Sequence, residues 1–215
     1  MEDAKPESAL IIAGGSPVDS DLLTHLHEYT LVVAADSGLD QAFRIGISPD
    51  LVVGDMDSVT PDALARAEAA GITIERHPVD KNATDLELAI AAAGRAGYTR
   101  GTIIGGTGGR MAHTLANAML LLEDHSLALD WRDGSAIIVA LHTGDTHSYR
   151  RSRGNLLSVI AVGGSATCRS EGLRWPLDDL ELAAGSTHGV SNEIVADEAR
   201  VLVTGGQVLT VQEKD

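Results

Sequence analysis

Four short apolar runs in the first half of the chain restrict its fold more than any other feature. They are "ALIIAGG" (9–15), "LVVAADSG" (31–38), "DLVVGDMDS" (50–58) and "GTIIGGTGGR" (101–110), and each passes directly into glycine or aspartate. Apolar residues that do not alternate with polar ones are typical of strands buried on both faces, as in a parallel sheet. The segment 73–79 is also strand-like, and we expect it to join the same sheet.

Helical patterns alternate with these runs. Thr60 and Pro61 begin an Ala-rich helical segment that ends at Gly71, and Thr84 followed by Glu87 has the spacing of a capping box. The segments 20–29 and 113–125 carry apolar residues at helical spacing as well. This alternation predicts an α/β domain with a mostly parallel, Rossmann-like sheet.

The pattern changes after about residue 133. Short apolar runs separated by Gly, Asp and Ser replace the Ala-rich helical segments. Such a pattern predicts an all-β domain of sandwich or barrel type. We place the boundary within 131–135, which gives an α/β domain over 1–133 and an all-β domain over 134–215.

The charge of the chain restricts its partners. It carries 31 acidic and 16 basic side chains, a formal net charge of −15. This charge disfavours binding to nucleic acid and to anionic membranes. A substrate that bears phosphate would need local neutralisation, and a divalent metal ion is the obvious source of it.

Two features indicate the compartment. Cys168 is the only cysteine, so no intramolecular disulfide forms, and we expect it to be a buried packing residue rather than a nucleophile. No apolar run has the length of a signal-peptide core or a membrane span. We therefore expect a cytoplasmic protein.

Aspartates follow the predicted strands at the edge where a parallel sheet binds its ligands. Asp36 follows the second apolar run, Asp55 and Asp57 follow the third, and Asp80 and Asp85 bracket the loop before a helix. One such residue is usually a helix cap or a turn residue. Several at one edge are the oxygen ligands that Mg²⁺ prefers, and adjacent carboxylates repel each other without a cation. We therefore predict a metal site rather than an acidic turn.

A glycine-rich turn is the second candidate site. The segment 103–110 contains four glycines and a threonine, and Arg110 lies where the next helix begins. Glycines let backbone N–H groups approach a phosphate, and arginine binds phosphate bidentately. The alternative is a plain tight turn, because the spacing matches no phosphate-binding fingerprint. Lys81 is a further candidate phosphate partner. The capping box explains the presence of Thr84 at the start of the helix, but it does not explain Asp85.

Two features of the β domain are ambiguous by themselves. Trp175 stands beside Pro176 in a chain with few aromatic residues, and it is either a stacking surface for a flat ligand or a lid on a small β core. The polar segment 187–193 indicates a turn.

The stretch "LVVGDMDSV" fits two families. It matches the first signature of haloacid-dehalogenase-type phosphatases, in which Asp55 would be the nucleophile and Asp57 the general acid/base. That signature normally ends the first strand, whereas here it ends the third, and no later acidic pair of the expected kind follows.

The whole chain gives a more specific match. The motifs "ADSG", "PDLVVGDMDSV", "DKNATDLELAI", "GGTGGRMAHTLAN", "GLRWPL" and "GVSNE" occur in this order. Together they resemble the thiamine pyrophosphokinase (thiamine diphosphokinase) family, from about Gly14 to Gln212. The resemblance implies transfer of the pyrophosphoryl group of ATP to the hydroxyethyl group of thiamine, which yields thiamine diphosphate and AMP. It also implies Mg²⁺ dependence and a homodimer with active sites at the subunit interface, between the α/β domain of one subunit and the β domain of the other.

The same resemblance implies roles for individual residues. The α/β domain would bind ATP and the β domain thiamine. Metal binding is implied for Asp55, Asp57 and Asp85, and catalytic roles for Asp36, Asp57 and Lys81. A nucleotide site is implied for Ser37, Gly38, Ser58, Thr84, Gly106, Thr107, Gly108, Gly109, Arg110 and His113. Thiamine contacts are implied for Asn117, Trp175, Ser191 and Asn192.

The chain departs from the family pattern at Ala112, where the family usually has aspartate. Three consequences of the missing carboxylate are possible: a neighbouring acid compensates for it, the acceptor substrate has changed, or the turnover is poor. The alternative functions are therefore a pyrophosphokinase for another heterocyclic alcohol and a non-catalytic thiamine- or nucleotide-binding protein.

Overall fold

The computed structural model describes residues 8–214, which form two compact units. Unit 1 ends at Gly134 and unit 2 begins at Ser135. Each unit has its own arrangement of strands.

Unit 1 combines strands and helices. Its strands are β1 (Ser8–Ala13), β2 (Leu31–Ala35), β3 (Leu51–Gly54), β4 (Thr73–Arg76), β5 (Arg100–Ile104) and β6 (Ala128–Asp133). Its helices are α1 (Gly38–Arg44), α2 (Pro61–Ala69), α3 (Asp85–Arg95) and α4 (Met111–Leu120), with a 3₁₀ helix at Ser20–His25.

The six strands of unit 1 are parallel and lie in the order β6-β5-β1-β2-β3-β4. The chain runs outward from β1 to β4 and then returns to pair β5 with the other side of β1. The strand order therefore reverses at β1, and the carboxyl ends of all six strands lie along one edge. In a sheet of this kind that edge is where ligands bind.

Helices cover both faces of the sheet in unit 1, where they pack on the side chains that each strand directs alternately to one face and the other. One face carries two apolar clusters that α1 and α2 complete, with members Leu10, Ile12, Val32, Ala42 and Ile104 in one and Val52, Leu39, Ala63 and Ala67 in the other. Helix α3 contacts β1, β2 and β3, and its buried residues belong to neither cluster. It therefore covers the opposite face, because side chains along a strand alternate between faces.

The regular elements of unit 2 within residues 135–214 are all strands. They are β7 (Ala136–His142), β8 (Thr146–Arg150), β9 (Leu156–Ala161), β10 (Ala166–Glu171), β11 (Leu180–Leu182), β12 (Asn192–Glu193), β13 (Glu198–Gly205) and β14 (Gln207–Glu213). They pair antiparallel in the orders β12-β9-β14-β7 and β11-β10-β13-β8. Side chains from both sets share one core, to which β9 contributes Leu157 and β13 contributes Val201.

Cys168 lies in the core of unit 2 and is fully buried, as expected from the sequence. Burial raises the pKa of its thiol to about 11. The neutral thiol is a poor nucleophile, so Cys168 is a packing residue.

Most local predictions for unit 1 are confirmed. Thr60 and Thr84 cap α2 and α3, and Thr84 Oγ1 accepts a hydrogen bond of 3.2 Å from the Glu87 N–H. The segment 20–29 forms only a 3₁₀ helix of six residues, because Leu22 is its only buried side chain and Leu26 already has extended geometry. Among residues 8–214, no helix is long and apolar enough to cross a membrane.

Gly38 offers a test of how α1 is held on the sheet. A Cβ atom at this position would collide with the carbonyl oxygen of Ile12 in β1. This clash is difficult to relieve, because the oxygen belongs to the backbone of a central strand and cannot move aside as a side chain could. We expect Gly38→Ala to lower the free energy of unfolding by about 3 kcal/mol, at the upper end of overpacking costs. Gly109→Ala is the matched control in unit 1, because its Cβ would meet open space. Equal denaturant midpoints for the two variants would contradict this packing.

Candidate active site

The loops that follow β2, β3 and β4 meet at the carboxyl edge of the sheet. The Asp36 N–H donates to the carbonyl of Val53 over 2.9 Å, and the His77 N–H donates to the carbonyl of Gly54 over 2.8 Å. These two bonds fasten the end of β3 to its neighbours on either side. The side chains that follow each strand are thereby brought together.

Three aspartates, Asp36, Asp55 and Asp57, converge there, and Lys81 pairs with both Asp55 and Asp85; we call these four aspartates the carboxylate cluster. Asp36, Asp55 and Asp57 each offer a carboxylate oxygen, and the three oxygens lie within 4.8 Å of one another. The backbone N–H of Asp57 donates to Asp55 Oδ1 over 3.1 Å, which fixes the turn between them. The strand-end aspartates predicted from the sequence therefore form one group.

Asp36 is the most buried member of the carboxylate cluster, with 6% of its surface exposed. Its Oδ2 accepts a hydrogen bond from the Ser58 hydroxyl, whereas its Oδ1 is buried and has no hydrogen-bond partner among residues 8–214. A buried carboxylate oxygen without a partner is costly. This oxygen is therefore available to a cation or a substrate proton.

Lys81 supplies a positive charge to the carboxylate cluster. Its Nζ donates to Asp55 Oδ2 over 2.5 Å and lies 3.1 Å from Asp85 Oδ1, an ion pair that lacks hydrogen-bond geometry. The bond from Lys81 holds the pKa of the Asp55 carboxyl below its usual value, and the same bond raises the pKa of Lys81. Both groups are therefore charged at neutral pH.

Gly54 allows the aspartates to come this close. Its φ is 152°, and a Cβ atom there would lie 3.0 Å from both Asp36 Cβ and Asp85 Oδ1. Asp36 and Met56 have left-handed φ angles of 47° and 66°. Such conformations are unfavourable for residues with side chains and often occur at functional sites.

The chemistry of the carboxylate cluster fits a hard divalent cation. All of its candidate ligand atoms are carboxylate oxygens, which Mg²⁺ and Ca²⁺ prefer. Four carboxylates against one lysine leave an excess of negative charge. The unpaired Asp36 Oδ1 is consistent with a cation ligand.

The glycine turn, residues 105–110, is fastened from three sides. The Gly106 N–H donates to the carbonyl of Gly14 over 2.7 Å. The buried side chains of Trp131 and Asn117 donate to the carbonyls of Gly105 and Gly106 over 2.7 and 2.9 Å. These three bonds occupy both carbonyls and the Gly106 N–H, so they fix the backbone at the start of the turn.

Asn117 therefore has a partner that the sequence did not indicate. It lies in α4, is 9% exposed and donates its amide to the glycine turn. Its thiamine contact stays a prediction. Neither Asn117 nor Trp131 shows a local sequence signal for this bond, because the residues it joins are 11 and 26 positions apart.

Helix α4 begins immediately after the glycine turn. Arg110 is its N-cap residue and makes no side-chain capping bond, and both Arg110 and His113 are exposed. Ala112 lies in the first turn, which contains no acidic residue. An acid that compensates for Ala112 is therefore not found in that turn.

An open pocket of about 350 Å³ lies beside the carboxylate cluster. Ser37 and Ser58 line it, as do two residues that sequence reasoning missed, Gln41 and Arg44. The Gln41 amide donates to the carbonyls of Gly15 and Ser16, so it shapes the loop after β1. Two other predicted nucleotide residues already have structural roles, since Gly38 packs on β1 and Thr84 caps α3.

Trp175 is the exposed aromatic residue of unit 2. Its surface is 57% exposed, so it is not a lid on the β core, and Trp131 of unit 1 is the buried tryptophan. The Arg174 guanidinium lies over the ring at 5.6 Å, and Arg174 is itself bound to Glu193 over 2.7 Å. An exposed, positioned indole ring suits stacking on a flat ligand.

Asn192 holds Trp175 in place. Its Nδ2 donates to the Trp175 carbonyl over 2.7 Å, and its Oδ1 accepts from the Trp175 N–H over 3.1 Å. Ser191 is exposed, has a φ of 57°, and its N–H donates to the Ser158 hydroxyl. The polar segment 187–193 therefore anchors Trp175 through Asn192, the first residue of β12, and is more than a plain turn.

Comparisons with known proteins converge on one family. The model "Thiamin pyrophosphokinase, catalytic domain" matches residues 23–130, and "Thiamin pyrophosphokinase, vitamin B1 binding domain" matches residues 146–208. A thiamine pyrophosphokinase of Bacillus subtilis is 27% identical over 209 residues, which cover 95% of this chain and 98% of the relative. Thiamine pyrophosphokinase 1 of rice (Oryza sativa subsp. japonica) is 25% identical, over 84% of this chain and 78% of the relative.

Solved structures agree in fold. The crystal structure of the thiamine pyrophosphokinase from Bacillus subtilis superposes with a TM-score of 0.86 at 25% identity and covers 97% of this chain and 100% of the other. The thiamin pyrophosphokinase from Candida albicans gives a TM-score of 0.83 at 17% identity, over 97% of this chain and 89% of the other. The fold is therefore shared at low sequence identity.

The Lys81–Asp55 pair predicts how stability depends on pH in metal-free protein. The lowered pKa of Asp55 means that its contribution is present above the unfolded value, about 4, and is lost as the pH falls through the folded value. The raised pKa of Lys81 means that its contribution is present below about pH 10.4 and is lost at higher pH.

We expect Asp55→Asn to reduce the acid-side loss of unfolding free energy by on the order of 1 kcal/mol, measured by urea denaturation from pH 3 to pH 7 in EDTA. Asp124→Asn, which alters an exposed carboxylate of unit 1, is the control. An acid limb of Asp55→Asn that superposes on the wild-type limb would show that the pair does not form in solution.

Proposed function

This chain belongs to the thiamin pyrophosphokinase family, and we propose that it carries out the family's reaction at the carboxylate cluster of unit 1. It is a kinase that transfers the pyrophosphoryl group of ATP to the hydroxyethyl group of thiamine, with thiamine diphosphate and AMP as products. The observation that carries our assignment of the site is the convergence of Asp36, Asp55 and Asp57 at the carboxyl edge of the sheet.

We assign the metal role to the carboxylate cluster. Asp55, Asp57 and Asp85 would hold Mg²⁺, with Asp36 beside them, and the ion would supply charge neutralisation for the transferring phosphates. The cluster's excess of negative charge and its all-oxygen donors support this choice. We also propose that unit 1 is a Rossmann-like domain and that unit 2 is an all-β domain of sandwich or barrel type.

The glycine turn and Arg110 hold the polyphosphate. Asn117 and Trp131 fix the start of this turn by holding the carbonyls of Gly106 and Gly105. Thr107, Gly108 and Gly109 provide backbone N–H groups for the phosphate oxygens. The exposed Arg110 provides a guanidinium group that can donate two parallel hydrogen bonds to a phosphate. Ser37 and Ser58, together with Gln41 and Arg44, line the pocket that we assign to the nucleoside.

Attack of the thiamine hydroxyl on the β-phosphorus of ATP needs alignment and charge neutralisation more than covalent help. The proton of that hydroxyl needs an acceptor. Asp36 and Asp57 are the candidates, since Asp36 Oδ1 has no hydrogen-bond partner in the described chain and Asp57 is exposed. Lys81 shares the phosphate charge.

Trp175 binds thiamine by stacking. Thiamine is a flat cation, and indole rings attract cations over their faces. Asn192 serves this contact indirectly because both polar atoms of its amide hold the Trp175 backbone. The net charge of −15 favours a cationic substrate over long range.

We further propose a homodimer with active sites at the subunit interface. Helix α4 exposes an apolar stripe of Met111, Leu115 and Met119, which are 71%, 58% and 40% exposed. Exposed apolar patches are typical of interaction surfaces. The cytoplasmic location expected from the sequence stays a prediction.

The test of the proposed function is AMP formation from ATP and Mg²⁺ with and without thiamine. We expect AMP to depend on thiamine, and Asp57→Asn to lower the turnover number at least about 100-fold through lost charge stabilisation. Asp124→Asn, which changes the net charge equally outside the cluster, should retain wild-type activity. Folded protein that binds ATP but forms no AMP with thiamine would overturn the proposal.

Trp175 provides a separate prediction. Trp175→Ala should raise the KM for thiamine about tenfold with a smaller change in kcat, because stacking acts on substrate binding. Trp175→Phe should retain most of the affinity, and Leu180→Ala, which removes another exposed apolar side chain of unit 2, should leave KM unchanged. A wild-type KM for Trp175→Ala would exclude the stacking role.

A further inference from the structure

Lys81 is the only lysine bound to the carboxylate cluster among the described residues. Its ammonium is bonded to Asp55 at 2.5 Å and paired with Asp85 at 3.1 Å. The side chains of Lys81 and Asp55 are 14% and 8% exposed, so solvent screens this pair only weakly. Asp55 and Asp85 are two of the three residues that the proposed function assigns to Mg²⁺. The same oxygen atoms therefore serve two cations.

We propose that Lys81 is an internal counter-ion that the nucleotide must draw away from Asp55 and Asp85, so that the metal ion binds together with ATP rather than before it. This inference rests on the proposed function, because it takes the carboxylate cluster as the metal site. It adds an order of binding and a residue that enforces it.

The position of Lys81 in the chain permits such a movement. It lies in the loop between β4 and α3, where Val79, Asp80 and Asn82 are exposed. Asp85, by contrast, is fixed as the first residue of α3, and Asp55 directly follows β3. A lysine ammonium on a flexible four-carbon stem changes partners more readily than a carboxylate on a fixed backbone.

Charge balance determines the direction of the exchange. With Lys81 on Asp55 and Asp85, a divalent ion at the same oxygens would meet a positive charge and fewer free lone pairs. A polyphosphate brings several negative charges to the site, gives the ammonium a new partner and repels the carboxylates unless a cation enters. Binding of the metal and of the nucleotide is therefore coupled through one side chain.

The two contacts of Lys81 are unequal. The bond to Asp55 has hydrogen-bond geometry, whereas the pair with Asp85 does not, and Asp85 Oδ1 is buried without a hydrogen bond. The contact with Asp85 is therefore the weaker of the two. An incoming metal ion would meet less competition at Asp85 than at Asp55.

The experiment measures Mn²⁺ binding by electron paramagnetic resonance, first with Mn²⁺ alone and then with α,β-methylene-ATP, whose α–β bond cannot be cleaved. For Lys81→Met we expect affinity for Mn²⁺ alone to rise about tenfold, because the competing charge is gone. We expect affinity for Mn²⁺ with the analogue to fall, because the phosphate loses its lysine partner. Lys81→Arg keeps the charge and should bind Mn²⁺ alone as weakly as wild type.

Arg95→Met is the matched control. Arg95 pairs with Glu75 at 2.7 Å in the same unit, so its replacement removes one positive charge away from the carboxylate cluster. It should change neither Mn²⁺ affinity. The exchange is supported if Lys81→Met binds Mn²⁺ alone more tightly and Mn²⁺ with the analogue more weakly, while Arg95→Met changes neither affinity. Unchanged or weaker binding of Mn²⁺ alone to Lys81→Met overturns it.

A measurement on the wild-type chain covers the case in which Lys81→Met does not fold. The sequence contains three lysines, Lys5, Lys81 and Lys214, so ¹³C-labelled lysine gives few ε-carbon signals. The Lys81 signal should stay in place with millimolar Mg²⁺ alone and shift with Mg²⁺ and α,β-methylene-ATP. An equal shift with Mg²⁺ alone would overturn the inference, whereas a wild-type protein that binds no Mn²⁺ even with the analogue would overturn the metal site itself.

Discussion

Mutual repulsion among four carboxylates is the constraint on which the architecture of this protein depends. Asp36, Asp55, Asp57 and Asp85 come from three successive strand–loop segments, and only a rigid sheet holds them at one edge. The apolar strands of unit 1 provide that rigidity, because they are buried on both faces and pair in fixed register. The stability of the core thus offsets the cost of collecting like charges.

The same constraint explains the backbone around the cluster. Gly54 is needed because a side chain would press on Asp36 and Asp85, and Asp36 adopts a left-handed φ to turn its carboxylate into the group. Lys81 and Ser58 then bind part of the oxygens. The glycine turn is arranged by a related principle, since buried Trp131 and Asn117 take up its carbonyls. In unit 2 a buried polar side chain again fixes an exposed residue, because the amide of Asn192 binds the backbone of Trp175.

Sequence reasoning located the strand-end residues well, because apolar runs in a parallel sheet place whatever follows them at one edge. Asp36, Asp55 and Asp57 were found in this way, as were the caps Thr60 and Thr84, whose signals are local. Helix α1 has no local sequence signal at its start, because it begins two residues after Asp36, a residue with a left-handed φ. The exposure of Trp175 was undecided in sequence because it depends on a bond to Asn192, 17 residues away. The pocket residues Gln41 and Arg44 were missed for the same reason, since their partners lie in the loop after β1.

In the proposed reaction, the carboxylate cluster holds the metal ion of a pyrophosphoryl transfer. The most direct measurement is a crystal structure with Mn²⁺, α,β-methylene-ATP and thiamine, in which anomalous scattering locates the metal. We expect a Mn²⁺ peak coordinated by oxygens of the cluster and by the polyphosphate. Bound nucleotide with Mn²⁺ on its phosphates alone, and no carboxylate of Asp36, Asp55, Asp57 or Asp85 among the ligands, would contradict it.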